Sequence, residues 1–124
     1  QQTLNADYQG QISAIDRSQA VIQFNLDGTI ITANENFLGA MGYSLDEIKG
    51  QHHRMFVAEA ERNSSNYKQF WEDLRAGKFK ADEFKRVGKS GKEVWIQASY
   101  NPIFDFTGQP IKVVKYATDI TSQV

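Results

Sequence analysis

The chain has 124 residues, and 14 lysine and arginine residues stand against 15 aspartate and glutamate residues, so the formal net charge is −1. This length is that of one domain, and the near-zero charge argues against a nucleic-acid partner, which usually selects a basic face. The chain contains no cysteine, which excludes disulfides, thiolate metal sites and cysteine-based photochemistry. No apolar run approaches the roughly 20 residues of a membrane helix. We therefore expect a small globular domain that belongs to a longer protein.

The first 18 residues predict an amphipathic helix. Leu4, Tyr8, Ile12 and Ile15 recur three or four residues apart, which places them on one narrow stripe. Such a stripe cannot form a core alone. We therefore expect residues 1–18 to form a flanking helix that packs on the edge of the domain or against a second copy of itself.

A β-hairpin and a helix follow. Apolar residues alternate with polar ones on either side of Asp27-Gly28, which predicts two strands joined by a tight turn. From Asn34 the apolar spacing becomes helical, and Gly42 ends this helix.

Further helices are predicted before the chain returns to strands. Ser44 and Glu47 have the spacing of a capping box at the start of a short helix, and residues 51–66 are irregular, with short helical turns. A firm amphipathic helix then ends at Gly77. Its apolar stripe consists of Tyr67, Phe70, Trp71 and Leu74.

The last third of the chain predicts three strands. The first covers about residues 79–87, the second follows Lys92, and the third covers about residues 111–118. The second strand places Val94, Ile96, Ala98 and Tyr100 on one face. Strands that occur in runs and are joined by hairpins predict an α+β fold, with a five-stranded antiparallel sheet and short helices on one face.

His52 and His53 are the only histidines. Adjacent residues on a helix diverge by about 100°, so the two cannot easily bind one metal ion, and a structural zinc site is not expected. Haem iron needs only one protein ligand, and histidine is a common one. In the alternative interpretation one histidine caps or hydrogen-bonds within a loop while the other faces water.

Other candidate residues favour packing or solvation over catalysis. Trp71 either packs in the core or stacks on a planar cofactor in a pocket, and the two roles are compatible. The basic residues around one hairpin alternate with acidic ones, which is typical of a solvated edge. These are Lys85, Arg86, Lys89 and Lys92. The sequence contains no recognisable nucleophile, acid/base pair or phosphate loop, so we assign no catalytic residue and expect no enzyme.

Several segments in a fixed order carry a family resemblance. They are residues 24–28, 33–37, 41–43, 47–51, 86–92, 94–96, 101–103 and 117–121. In this order and spacing, residues 19–121 resemble a PAS domain, the sensory module of bacterial signalling proteins. Residues 122–124 would then begin the linker to an output region outside this sequence.

A narrower resemblance is to the PAS modules of soluble methyl-accepting chemotaxis transducers. It rests on residues 50–56, 67–74 and 98–105. The flavin-binding PAS domain of aerotaxis receptors is also similar, since Gly50, Gln51 and His53 match its Gly-Gln-x-His stretch and Trp71 matches its helix tryptophan.

The resemblance implies a function and a set of site residues. It implies a cytoplasmic sensor of a small ligand, gas or redox state, whose pocket lies between the sheet and the helices, and whose signal leaves through a C-terminal helix. The cofactor candidates are haem, bound through His53 or His52, and FAD, stacked near Trp71; a domain without a cofactor is a further alternative.

The resemblance also implies partners. We expect a homodimer and a downstream signalling region in the same parent chain, without nucleic acid and without insertion of this fragment into a membrane. The alternatives are a ligand-free dimerisation and relay module, and the PAS sensor of a kinase or cyclase.

Overall fold

The structure, a computed structural model, describes residues 19–121. The predicted flanking helix over 1–18 and the predicted linker at 122–124 lie outside the described residues.

Residues 19–121 form one antiparallel sheet and a series of short helices. The strands are β1 (Ala20–Phe24), β2 (Ile30–Ala33), β3 (Lys80–Val87), β4 (Glu93–Phe104) and β5 (Pro110–Asp119). The α-helices are α1 (Glu35–Met41), α2 (Leu45–Ile48), α3 (Glu59–Arg62) and α4 (Ser65–Arg75). Two 3₁₀ turns cover His53–Phe56 and Lys89–Gly91.

The strand order in the sheet is β2-β1-β5-β4-β3, and each neighbouring pair is antiparallel. Strand β5 is therefore the central strand, with β1 and β2 on one side of it and β4 and β3 on the other. This confirms the predicted α+β class with a five-stranded antiparallel sheet.

The core lies between the sheet and the helices. On β4, the four residues predicted to share a face (Val94, Ile96, Ala98 and Tyr100) are all buried. The predicted helical stripe is buried at Tyr67, Trp71 and Leu74, with Phe70 partly buried against the same cluster. The two patterns thus meet as the opposite walls of one apolar core.

No helix within residues 19–121 is long and apolar enough to span a bilayer.

Asn34 fixes the start of α1 and its place on the sheet. Its Oδ1 accepts hydrogen bonds from the backbone N–H groups of Phe37 and Val21, both at 3.0 Å. Its Nδ2 donates to the Gln19 carbonyl at 2.9 Å. One side chain therefore caps the helix and ties it to β1.

We expect Asn34→Ala to lower the free energy of unfolding by about 1–2 kcal/mol, because loss of an N-cap costs about this much. Urea denaturation measures the change. Asn66→Ala, on the exposed side of α4, is the control and should stay within about 0.5 kcal/mol of the parent. Equal effects of the two substitutions would show that Asn34 has no anchoring role.

Candidate functional site

His53 lies at the centre of the core, and its exposed fraction is 0%. Its Nδ1 is 2.7 Å from the Tyr67 hydroxyl, and its Nε2 is 2.9 Å from the Tyr100 hydroxyl. Both ring nitrogens are therefore hydrogen-bonded to tyrosine. The imidazole links the 3₁₀ turn to helix α4 on one side and to the central part of strand β4 on the other.

The hydrogen bonds continue beyond each tyrosine. The indole Nε1 of Trp71 donates to the Tyr67 hydroxyl at 3.2 Å. Arg86 donates from Nη2 to the Tyr100 hydroxyl, also at 3.2 Å. A chain of five polar groups thus runs from α4 through the 3₁₀ turn to β4 and β3.

Aromatic rings fill the space around His53. The rings of Phe24 and Trp71 meet the imidazole edge to face, at centroid distances of 5.3 and 5.5 Å, and the Tyr67 ring stacks on it at 5.8 Å. The Phe70 ring stands perpendicular to Tyr100 at 4.7 Å. Such edge-to-face pairs are the favoured aromatic arrangement, so this part of the core is closely packed with side chains.

The β1–β2 turn holds the two histidines in place. The backbone N–H of His53 donates to the Gly28 carbonyl at 2.9 Å. His52 caps the 3₁₀ turn, because its Nδ1 accepts from the backbone N–H of Arg54 at 3.0 Å. The predicted Asp27-Gly28 turn therefore does more than reverse the chain, since it also positions the site residues.

A surface cleft of about 590 Å³ opens beside α4. His52, Tyr67 and Trp71 form its aromatic wall, and the rest of its lining consists of four cationic residues, one acidic residue and one asparagine. The cations are Arg54, Arg62, Lys68 and Arg75. The combination of aromatic surface and positive charge suits a planar ligand with an anionic group.

The structure brings the three predicted site residues together. The imidazole of His53 lies 5.5 Å, and that of His52 6.0 Å, from the Trp71 ring, measured between centroids. His52 caps a turn, as one interpretation required. That interpretation also placed one histidine in water; His52 is half exposed, whereas His53 is completely buried and hydrogen-bonded.

Sequence reasoning missed two buried cations of this site. The sequence predicts Arg86 to be one of the solvated charges of a hairpin, but only 2% of its surface is exposed. The sequence analysis assigns Lys115 no role, yet it is 1% exposed, and its ammonium lies 4.8 Å from the centre of the Tyr100 ring. Strand alternation was the available signal, since Arg86 and the partly buried Phe84 stand two residues apart on β3, as do Lys115 and the buried Val113 on β5.

Burial sets the protonation of the imidazole and of Tyr67. Desolvation, assisted by the charges of Arg86 and Lys115, holds the pKa of His53 well below its usual 6.5. Desolvation raises the pKa of Tyr67 to about 12. His53 is therefore a neutral imidazole at physiological pH, with one nitrogen that donates and one that accepts.

The neutral state of His53 predicts an acid-labile fold. The unfolded chain binds a proton at this histidine below about pH 6.5 while the native state does not, so stability is lost as the pH falls. Between pH 6.5 and pH 5 we expect the free energy of unfolding to fall with a slope that approaches about 1.4 kcal/mol per pH unit for this one group.

Urea denaturation across this pH range measures the slope. His53→Gln should flatten it, while His52→Gln, whose ring is half exposed, should leave most of it. The carboxylates whose pKa values are lowered have ordinary pKa values of 3.8 for aspartate and 4.5 for glutamate, so they take up protons only at lower pH. An unchanged slope in His53→Gln would show that His53 takes up its proton in the folded state.

Comparison with known proteins assigns the family. The family model described as "PAS fold" matches residues 30–117. In the crystal structure of the PAS domain of a protein from Colwellia psychrerythraea, 98% of the chain superposes on 93% of this one, with a TM-score of 0.77 and 22% sequence identity. That similarity concerns the fold alone.

Two curated relatives are similar in sequence. Biofilm dispersion protein BdlA of Pseudomonas aeruginosa is 39% identical over 118 residues, which are 95% of this chain and 28% of that protein. The aerotaxis receptor of Escherichia coli is 29% identical over 79 residues, which are 64% of this chain and 15% of that protein. This chain therefore spans less than a third of the length of either relative. The resemblance to PAS domains that the sequence predicts is confirmed.

Proposed function

The chain belongs to the PAS fold family, and from this premise we propose that it is the sensory module of a bacterial chemotaxis transducer. In this proposal it detects a small ligand, a gas or a redox state, and it acts as a non-catalytic part of a cytoplasmic signalling protein. The similarity to the aerotaxis receptor and to BdlA supports the assignment.

The observation that carries the proposal is the position of Trp71. Its ring forms part of the wall of the cleft, and its indole N–H also donates to the Tyr67 hydroxyl of the buried chain. A ligand that contacts Trp71 therefore perturbs a hydrogen-bonded path that reaches β4. Strand β4 pairs with β5, which ends at Asp119, so the perturbation leaves through the last strand toward the downstream signalling region.

A flavin fits the described residues better than haem. The cleft offers Trp71 and His52 as aromatic surface and four cations for the phosphates of FAD, and bound FAD would supply a redox-active ring. His53 does not fit haem in the arrangement shown, because both of its nitrogens are hydrogen-bonded to tyrosines and aromatic rings fill the space around it. Haem at His53 or His52 stays a prediction for the spectrum to test.

The test is the absorption spectrum of the purified chain before and after incubation with FAD and, separately, with haem, followed by removal of free cofactor. We expect FAD to be retained, with the vibronic bands of a bound flavin. Trp71→Ala should reduce retention, as should Arg54→Ala combined with Arg75→Ala at the cleft. Lys92→Ala, between β3 and β4 and not in the lining of the cleft, is the charge control.

A Soret band that His53→Ala or His52→Ala abolishes would replace flavin with haem. A spectrum that neither cofactor changes would remove both cofactor assignments.

The proposal includes a homodimer. The apolar stripe that the sequence predicts over residues 1–18 is too narrow to form a core alone, and in this proposal it pairs with a second copy of itself. Sedimentation velocity at increasing concentration should show a monomer–dimer equilibrium, and truncation of residues 1–18 should abolish it. A clean monomer at high concentration would contradict this part of the proposal.

One observation favours a second candidate, a ligand-free dimerisation and relay module. The rings around His53 already fill the space between sheet and helices that a cofactor would need. A protein that takes up neither cofactor and relays only conformational change would match that packing. A PAS sensor attached to a kinase or cyclase shares all of these site features, and the sequence of the parent protein distinguishes it.

A further inference from the structure

Four buried polar side chains meet in the core, and we name them the Tyr100 cluster: Tyr100, His53, Arg86 and Lys115. Their exposed fractions are 0%, 0%, 2% and 1%. Each comes from a different element, namely β4, the 3₁₀ turn, β3 and β5. Tyr100 is the common partner, because its hydroxyl is hydrogen-bonded to His53 and Arg86 and its ring lies beneath the Lys115 ammonium.

The charges of the cluster do not balance. Within residues 19–121 the one carboxylate near either cation is Glu61, whose Oε2 lies 3.8 Å from Nη1 of Arg86 and whose side chain is 50% exposed. Lys115 has no carboxylate partner in this range and faces the rings of Tyr100 and Phe37. Since a buried charge without a counter-ion is strongly disfavoured, the cluster lacks negative charge.

The hydrogen bonds do not balance either if both tyrosines are protonated. Neutral His53 donates from one nitrogen and accepts at the other. If Tyr100 donates to Nε2, then Nδ1 donates to the Tyr67 oxygen, and the Tyr67 hydroxyl proton has no acceptor among the described residues. If Tyr67 donates to Nδ1, then Nε2 donates to the Tyr100 oxygen, and the Tyr100 proton has no acceptor as long as Lys115, the remaining polar neighbour of that hydroxyl, is an ammonium. Buried donors without acceptors are rare and costly.

Removing one proton from Tyr100 resolves both imbalances. The Tyr67 hydroxyl then donates to Nδ1, and His53 Nε2 and Arg86 both donate to the phenolate oxygen. Each donor from the Trp71 indole to Nη2 of Arg86 then has an acceptor, although the Nε of Arg86 has no partner among the described residues, and the two cations gain a buried anion. We therefore propose that Tyr100 is an internal acid whose phenolate is the counter-ion of Arg86 and Lys115, and whose protonation switches the tautomer of His53.

The electrostatics around the two tyrosines support this assignment. Burial alone raises the pKa of the Tyr100 phenol, but the charges of Arg86 and Lys115 outweigh that effect, and the pKa is lowered from its ordinary 10.0. Tyr67, which shares His53 but contacts neither cation, has its pKa raised. The groups that face Tyr100 are thus His53 from the 3₁₀ turn, Arg86 from β3 and Lys115 from β5, with Glu61 of α3 beyond Arg86 and Tyr67 of α4 beyond His53.

The switch reaches the surface cleft. When Tyr100 takes up a proton, its hydroxyl donates to Nε2 and the proton of His53 moves to Nδ1. The Tyr67 oxygen then accepts from both Nδ1 and Trp71, so its own hydroxyl proton must leave the network. One proton on β4 therefore alters the hydrogen bonding of the tryptophan at the cleft wall. The inference does not depend on a bound cofactor, since it concerns the chain's own side chains.

Alkaline titration of the full chain, followed by the phenolate absorbance at 295 nm, tests the proposal. The chain has five tyrosines. We expect one fifth of the total change to occur as a separate step at lower pH than the rest. That step should be absent in Tyr100→Phe, present in Tyr67→Phe, and shifted to higher pH in Lys115→Met. A single transition of all five tyrosines, or an early step that survives in Tyr100→Phe, would overturn the proposal.

A measurement on the unsubstituted chain covers the case in which the Tyr100→Phe variant does not fold. Tyrosine labelled with ¹³C at Cζ gives one resonance per ring, and this carbon moves downfield when the phenol ionises. The Tyr100 resonance is identified through its contacts to the Phe70 and Phe84 rings, whose centroids lie 4.7 and 5.5 Å away. It should move at lower pH than the other four, and movement together with them or after them would refute the assignment.

Discussion

Trp71→Ala should lower the free energy of unfolding by about 3–5 kcal/mol, the usual cost of truncating a buried large aromatic side chain to alanine. The indole is 4% exposed and packs edge to face on Phe24, Phe70 and His53. The substitution leaves a cavity among these rings and also removes the N–H donor to the Tyr67 hydroxyl. Urea denaturation at pH 7.5, where His53 is neutral in both states, measures the loss.

The second tryptophan is the matched control. Trp95 lies on the face of β4 away from the helices and is half-buried. Its backbone forms hydrogen bonds to residues 120 and 121, and an alanine at this position would keep them. Trp95→Ala should cost only about 1 kcal/mol. A Trp71→Ala cost as small as that of Trp95→Ala would mean that the indole is not part of the stable core. It would then act as a movable platform at the cleft.

The outcome also bears on the choice between the two candidate functions. If Trp71→Ala is costly and FAD does not raise the stability of the unsubstituted chain, the ring serves packing and the relay module is favoured. If FAD stabilises the unsubstituted chain but not the Trp71→Ala variant, the same ring serves both packing and binding. Ligand binding to the native state alone raises stability in this way.

The sequence predicted the elements whose signals are local. The Asp27-Gly28 turn, the start of a helix at Asn34 and its end at Gly42 each depend on residues close in the chain, and all occur in the structure. Alternation on β4 and helical spacing on α4 likewise identified the two walls of the core. These patterns need no knowledge of which strands pair.

The buried polar network could not be predicted from such patterns. His53 contacts tyrosines 14 and 47 residues away in the chain, and no local spacing relates the three. The sheet register places Lys115 opposite Tyr100, which requires the pairing of β4 with β5. Alternation alone could have placed Lys115 and Arg86 on inward faces, but a basic side chain at such a position is usually taken to be exposed because a buried charge is costly.

Gly28→Ala should destabilise the fold by about 2–4 kcal/mol. Gly28 has φ +91°, a conformation that costs an L-residue about 1–2 kcal/mol. An added Cβ would also overlap the imidazole of His52, with Cε1 only 2.8 Å away. The ring cannot turn aside freely, since its Nδ1 accepts from the Arg54 backbone and its edge meets Trp71. Losing that hydrogen bond adds about 1 kcal/mol.

Gly108→Ala separates the two causes. Gly108 has φ +85°, nearly the same backbone conformation, but an added Cβ there would have no neighbour within 4 Å. Its substitution should cost only the conformational part, about 1–2 kcal/mol. The difference between the two variants in urea denaturation therefore isolates the contact between the β1–β2 turn and His52. Equal losses would mean that the His52 ring moves aside without cost, and that the turn fixes the site only through its backbone hydrogen bond to His53.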